Sequence, residues 1–317
     1  MPIQLVLGRL VSTHLFLCFL VVFVAFSSML ACLFVFVQVL RMLLSFFFNY
    51  PLLLLFLSFH SSIVLWRAFK WSQLRFMGNY NFNLLSLNAR GIRDYFKRKS
   101  IFTWVKQQNT DIVFLQETYS TPDIENEWKS QWQGKMLFAH GTNHSRGVLI
   151  LFNNELHFEI KSEYIDTEGR YILVEATIQD SPFLLVNLCA PTKSREQCKF
   201  FDDVKSALDE LDLDPGCEII IGGDFNTHLN PTLDNLGGRI ETKPSVRRIK
   251  ELMMTYDLID IWRIHPPLKK GFTWTQKKPF IRRRLDFWLI SNSVQDNVSK
   301  RYYSCYQVRP FSDYPAF

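Results

Sequence analysis

Residues 219–226 read IIIGGDFN: an apolar run that meets a glycine pair and then Asp224, Phe225 and Asn226. A short isoleucine run bounded by glycine marks a buried strand, because β-branched side chains pack on both faces of a covered sheet. The polar residues then stand where the strand ends. The same arrangement recurs upstream: Leu87 runs into Asn88, Leu115 into Gln116 and Glu117, and Leu188 into Cys189. Polar groups at the ends of several strands converge on one rim. There the sheet fixes the geometry and the loops leave side chains open to solvent.

Around these strand ends the chain alternates apolar and amphipathic stretches, the habit of a layered α/β domain. Strands are predicted over 81–87, 111–116, 147–152, 171–178, 183–188 and 218–221, and a helix over 99–107. Phe201, Val204, Leu208 and Leu211 recur at spacings of three, four and three, which is one helical face. Gly222, Gly223, Asn230, Pro231, Gly237 and Gly238 are expected to punctuate the loops that follow. With no repeat and no low-complexity linker, 79–317 reads as one domain.

The chain has 317 residues, 48% of them apolar, enough for one large domain or two average ones. Six cysteines, at 18, 32, 189, 198, 217 and 305, contain no CxxC pair, which argues against a zinc knuckle or a secreted disulfide framework and favours reduced thiols. Of the formal charge of +6, five units come from Arg9, Arg41, Arg67, Lys70 and Arg75, because no acidic residue precedes Asp94. The remainder binds its partner through local basic clusters or a metal, not through a global field.

Residues 1–78 form a hydrophobic leader. Residues 10–40 carry no charge, and after Arg41 the run resumes over 42–66. A membrane-spanning helix needs about 20 mainly apolar residues, so each run is long enough, and the two read as a transmembrane hairpin with both ends cytoplasmic. A signal peptide, with an apolar core of about 7 to 15 residues, is too short to account for them. The alternative is an upstream untranslated stretch in conceptual translation. A soluble core helix fits worst, since neither run has a polar face.

Asn88, Glu117, Asp224 and Asn226 supply oxygen donors without His or Cys. Any one of them alone is more often a turn or cap residue. Together they suit a hard cation such as Mg²⁺, with Mn²⁺ as a substitute, which takes one or two carboxylates and keeps waters for phosphate oxygens.

The segments LLSLNARG (84–91), DIVFLQET (111–118), SRGVLILF (145–152), IIIGGDFN (219–226), FTWTQ (272–276) and RLDFWLIS (284–291) resemble, in this order, the endonuclease/exonuclease/phosphatase superfamily. Within it they are most similar to the apurinic-type endonuclease domain of LINE-type non-LTR retrotransposons. The resemblance implies a two-sheet α/β sandwich with outer helices and metal-dependent phosphodiester hydrolysis. It implies that Glu117 and Asn88 hold the metal, that Asp224 aligns or deprotonates water, that Asn226 bonds a phosphate oxygen, and that Asp286 orients the family's histidine. That histidine closes a Ser-Asp-His element, but the chain reads Ser312, Asp313, Tyr314. A phenol stays neutral at pH 7 and donates a hydrogen bond without supplying positive charge. Cys189 in NLCAPT stands where the family has a tyrosine that reaches the phosphate. An impaired site is the expectation. The family also continues into a last strand beyond the position of Phe317.

Basic residues cluster at Arg93, Lys97 to Lys99, Arg247 to Lys250, Lys269, Lys270, Lys277, Lys278 and Arg282 to Arg284, interleaved with Trp274 and Phe280. Such clusters are usually solvated faces; beside a phosphodiesterase rim they can instead neutralise DNA phosphates. Thr273, Trp274 and Arg284 are therefore the nucleic-acid-binding candidates, with a core role for Trp274 as the commoner use. Three readings follow: a Mg²⁺-dependent DNA endonuclease, a catalytically dead nucleic-acid-binding remnant, and a membrane-tethered phosphoesterase acting on phospholipid. The first two place the protein in nucleus or cytoplasm, the third on a membrane, and none needs a small-molecule cofactor.

Overall fold

A computed structural model describes residues 70–238, 243–265 and 267–299 and the backbone of Tyr306–Gln307. The expected leader spans over 10–66, and Asp313 and Tyr314, lie outside the described residues. Among the described residues no helix is long and apolar enough to cross a membrane.

The first sheet contains β1 (Lys70–Arg75), β2 (Asn83–Asn88), β3 (Ile112–Gln116), β4 (Met136–Ala139) and β5 (Val148–Phe152), in the order β1-β2-β3-β5-β4. The second is begun by β6 (Phe158–Ile165), β7 (Tyr171–Ile178), β8 (Ser181–Cys189) and β9 (Glu218–Asp224). Beyond these come β10 (Asn235–Leu236), β11 (Leu258–Asp260), β12 (Trp274–Gln276), β13 (Ile281–Arg283), β14 (Asp286–Ser291) and β15 (Tyr306–Gln307). Strands β11 and β14 complete the second sheet as β11-β14-β9-β8-β7-β6, β10, β13 and β12 make a small third sheet, and β15 pairs with the outer edge of β1.

Each large sheet has one parallel pair near its centre, β2–β3 and β8–β9, joined by a crossover helix. These helices are α1 (Tyr95–Gln107) and, beyond α2 (Glu125–Trp132), α3 (Ser194–Asp209). Two further helices, α4 (Pro244–Thr255) and the single turn α5 (Ile261–Ile264), follow β9. Helix α1 begins four residues earlier than predicted because the Asp94 carboxylate accepts the Lys97 N–H at 2.8 Å, an N-cap that supplies one of the helix's orphan donors with an acceptor.

Strand periodicity explains the layering. Leu84, Ile112, Phe114 and Ile150 from the first sheet meet Ile172, Val174, Leu185 and Ile220 from the second in one buried cluster. The alternate residues Leu85, Val113 and Leu115 face α1 and α2, while Leu173, Val186, Ile221 and Leu289 face α3 and α4. The result is helix, sheet, sheet, helix: the two-sheet sandwich expected from the sequence.

The observed strands correct the predicted ones in two places. Lys70–Arg75, assigned by the sequence reading to the leader, is a strand aligned with β2 along its full length, from Lys70 opposite Asn88 to Arg75 opposite Asn83. Gly222 and Gly223 are not loop residues but belong to β9. A Cβ on Gly222 would lie 2.4 Å from the indole of Trp288, and one on Gly223, at φ 133°, would lie 2.0 Å from the Leu188 carbonyl oxygen. Glycine is required where the indole crosses the strand and the backbones close up.

Candidate active site

Alternation carries directly into the site. On β2, β3, β8, β9 and β14 the residues sharing a face with the inter-sheet core are Leu84, Phe114, Leu185, Ile220 and Trp288. Counting by twos toward the rim reaches Asn88, Gln116, Asn187 with Cys189, Asp224 and Asp286. Register brings them level: Asn88 opposite Gln116, Cys189 opposite Asp224, and Asp224 opposite Asp286.

A polar layer closes the sandwich just below the rim. Gln116 Nε2 donates to Asn187 Oδ1 at 2.7 Å, and Asn187 Nδ2 donates to the Leu149 and Leu115 carbonyls at 2.7 and 3.1 Å. Both side chains are fully buried, so their amides find partners only within the protein, in each other and in neighbouring backbone carbonyls. Sequence reading named Gln116 only as a neighbour of Glu117 and missed Asn187. Its signal is an Asn inside an apolar strand, two residues before the rim.

Above this layer the two sheets are joined by Asn88 Nδ2, which donates to Asp224 Oδ2 at 3.2 Å. Asp224 Oδ1 accepts the Asn226 N–H at 2.9 Å. Asn226, at φ 49°, donates its side-chain amide to the Ala190 carbonyl at 2.8 Å. Glu117 follows directly on β3 at φ 51° and borders a cleft of about 760 Å³, shared with Tyr119, Arg146, Arg170, Cys189 and Asn226. Cys189 lies among the acids: burial first, then Asp224 and Glu117, and more weakly Asp286, push its thiol well up, against Arg170. It is therefore a neutral thiol. Burial and the charge of Glu117 likewise raise the Tyr119 phenol.

Register thus sets Asp224 beside Cys189 and Asp286 beside Asp224, while Glu117 shares the cleft with the thiol. Arg170, which sequence reading missed, borders the same cleft, and its guanidinium donates to the Cys189 carbonyl at 3.4 Å. No three His, Cys, Asp or Glu side chains among the described residues are grouped to hold an ion by themselves. The donors nevertheless suit a hard cation. The half-buried Glu117 carboxylate makes no hydrogen bond or ion pair with the described residues, and Asn88 Oδ1 accepts only the Arg90 N–H at 3.2 Å, which leaves a lone pair. Mg²⁺ takes one or two protein oxygens of this kind and retains its waters.

The nucleic-acid candidates separate. Arg284 is 2% exposed; its Nε donates to Asp234 Oδ1 at 2.8 Å and its Nη1 to Asp260 Oδ1 at 2.9 Å. Burial opposes its charge, but Asp260 and Asp234 outweigh that and raise its pKa. Both edges of the guanidinium are committed, so the expected phosphate contact at Arg284 is corrected to a structural ion pair. Thr273 is 3% exposed, and its Oγ1 accepts the N–H groups of Leu285 and Asp286 at 2.8 and 3.2 Å. It sets the entry to β14 and so the place of Asp286, and is not a surface contact. Trp274 is half-buried on β12. The β12–β13 hairpin beside it carries Phe280, 60% exposed, with Lys277 and Lys278.

Residues 80–312 match the Endonuclease/Exonuclease/phosphatase family, and the chain belongs to that family. Over 234 residues it is 30% identical to the Transposon TX1 uncharacterized 149 kDa protein of Xenopus laevis; the match covers 73% of this chain and 17% of that protein. The fold is similar to the catalytic domain of Xenopus laevis APE2, with a TM-score of 0.52 at 18% identity over 68% of this chain and 83% of that one. It is also similar to an AP endonuclease from Archaeoglobus fulgidus, with a TM-score of 0.50 at 18% identity over 66% and 86%.

Proposed function

We propose that the chain is a divalent-metal-dependent DNA endonuclease of the retrotransposon type, running at reduced rate because two family positions are replaced. The observation that carries this reading is the rim itself: Cys189, Asp224 and Asp286 level in register, Asn88 bonded to Asp224 across the two sheets, and Glu117 bordering the cleft with Cys189 and Asn226. The half-buried Glu117 carboxylate, which borders the cleft and makes no hydrogen bond or ion pair with the described residues, calls for a cation. Membership of a family of nucleases and phosphatases and likeness to a transposon protein favour DNA as the substrate.

In this reading Glu117 and Asn88 would hold Mg²⁺ or Mn²⁺. When bound, the ion polarises the phosphoryl group and offsets its developing charge. Asp224, fixed by the Asn88 amide and the Asn226 N–H, takes a proton from the attacking water. Asn226 has a second amide hydrogen for a non-bridging phosphate oxygen, the first being spent on Ala190. Asp286 would have oriented a histidine, and Asp313 leads into position 314, where the chain has a tyrosine. Losing an acid–base group costs about 10² to 10⁴ in rate, and losing one transition-state hydrogen bond about 10² to 10³. The short, buried, neutral Cys189 thiol is the second loss. Of the alternatives, these two replacements favour the non-catalytic nucleic-acid-binding remnant.

The test is nicking of supercoiled plasmid with Mg²⁺ by the full chain and by Glu117→Ala. Slow nicking that vanishes in Glu117→Ala supports the proposal. Binding of the plasmid without nicking, unchanged in Tyr314→His, replaces it with the binding remnant.

A further inference from the structure

The turn that carries Glu117 is strained twice, with Glu117 at φ 51° and Tyr119 at φ 59°. Non-glycine residues in this left-handed region are strained and persist where the surroundings over-determine them. Part of the restraint is backbone: the Thr118 N–H donates to Gly147 O and the Tyr119 N–H to Arg146 O, each at 2.9 Å. The rest is a chain of side chains beneath the turn. Thr118 Oγ1 donates to Ser120 Oγ at 3.2 Å, Ser120 Oγ lies 3.2 Å from His140 Nδ1, and His140 Nε2 lies 2.8 Å from Glu125 Oε1.

One proton order satisfies every member. Thr118 donates to Ser120, Ser120 donates to Nδ1, and the Nε2–H donates to the Glu125 carboxylate, which Lys129 also engages. Thr118 and Ser120 are fully buried, so neither hydroxyl has water as a substitute. The Phe138 ring stacks on the imidazole, with centroids 5.3 Å apart. The fit over the hydroxyls is close: a Cβ on Gly147 would lie 2.5 Å from Thr118 Oγ1 and 3.1 Å from Ser120 Oγ. With Ser120 at 0% exposure, the Ser–His–Glu sequence has no nucleophile that a substrate can reach. What it does reach is the turn bearing Glu117.

We propose that His140 is a positioning residue for the metal site: acting through Ser120 and Thr118, it fixes the turn that aims Glu117, without itself touching the ion. This rests on the reading that Glu117 holds a divalent cation. Groups that orient metal ligands from behind typically change metal affinity about 10- to 100-fold when removed.

The experiment is calorimetric titration of Mn²⁺ into the full chain and into four variants, with thermal melting of each in EDTA. His140→Leu removes both bonds and is expected to weaken Mn²⁺ binding about tenfold. His140→Asn can restore the bond to Ser120 and is expected to recover most of that loss. Ser120→Ala breaks the same link by deleting one atom and carries the test if His140→Leu does not fold; it is expected to weaken binding about fivefold. Glu117→Gln is expected to abolish binding. If Glu117→Gln abolishes binding while Ser120→Ala and His140→Leu bind Mn²⁺ as the wild type does, even with lowered melting temperatures, the imidazole is merely structural and the inference fails while the site reading stands. If Glu117→Gln leaves binding intact, the site reading itself fails.

Discussion

Two clusters of charge flank the same short stretch of chain and differ in what they face. At the rim, Asp224 lies opposite Cys189 and Asp286 opposite Asp224, with Glu117 on the cleft that Cys189 also borders. Around Arg284 sit Asp234 and Asp260, with Arg263 on Asp234, so that two acids meet two arginines in a buried, mutually cancelled group. Both clusters draw on the same motif: Arg284 and Asp286 are two residues apart. The difference teaches that residue type does not distinguish a site from a brace; the balance of charge does. A cancelled cluster stabilises the fold, whereas the Glu117 carboxylate, beside a cleft and without a hydrogen bond or ion pair to the described residues, is left for a ligand.

If that contrast is right, substitutions in the two clusters separate activity from stability. The largest expected effect is in the first: Glu117→Gln should lower plasmid nicking by about 10³-fold, the scale of a lost metal ligand and its charge stabilisation. Its urea midpoint should stay near that of the wild type. In the second cluster, Arg284→Met leaves Asp234 and Asp260 buried with less compensation. It should cost about 3–5 kcal/mol in equilibrium unfolding. An Arg284→Met protein of full stability that no longer binds DNA would reverse the assignment. Next in size, Tyr314→His should raise nicking at least tenfold by returning an imidazole to the family position. An unchanged rate would locate the defect elsewhere, with Cys189→Tyr as the next variant to assay.

The smallest effect concerns pH. Burial opposes ionisation of Glu125, but Lys129 and His140 outweigh it and hold its carboxyl below the usual range. A folded pKa below the unfolded one gives stability that is present above the unfolded value and lost as pH falls through the folded one. Glu125 is half-buried at the surface, where solvent screens its ion pair, so the contribution is below about 1 kcal/mol. Wild type and Glu125→Gln should therefore differ slightly in melting temperature near neutrality and converge below about pH 4.

The sequence made most of the inter-sheet core legible, because strands β2, β3, β5, β7, β8 and β9 are dense in Val, Ile, Leu and Phe and end in polar residues. It also made the rim legible, since period-two alternation projects Asn88, Asp224 and Cys189 to one side. Strand β1 was not legible: KWSQLR has only two apolar residues, and its extended form comes from pairing with β2, a long-range effect. Helix α2 hides for a similar reason, since its buried face is just Trp128 and Trp132 in an otherwise polar stretch. Asn187, Arg170 and His140 were missed because their meaning lies in partners such as Gln116, Cys189 and Ser120, which no local pattern pairs with them. Thr273 and Arg284 were misread for the converse reason. Their polarity signals a surface, and only the fold shows the backbone N–H groups and carboxylates that they serve from inside.

The central claim is that the acids at the rim hold one divalent ion beside Asp224. Anomalous diffraction from crystals soaked in Mn²⁺ tests it most directly. A single peak within coordination distance of the Glu117 carboxylate and Asn88 Oδ1, lost in Glu117→Gln, is the predicted result. Crystals with no peak at the rim, or with manganese bound only away from Glu117, would contradict it.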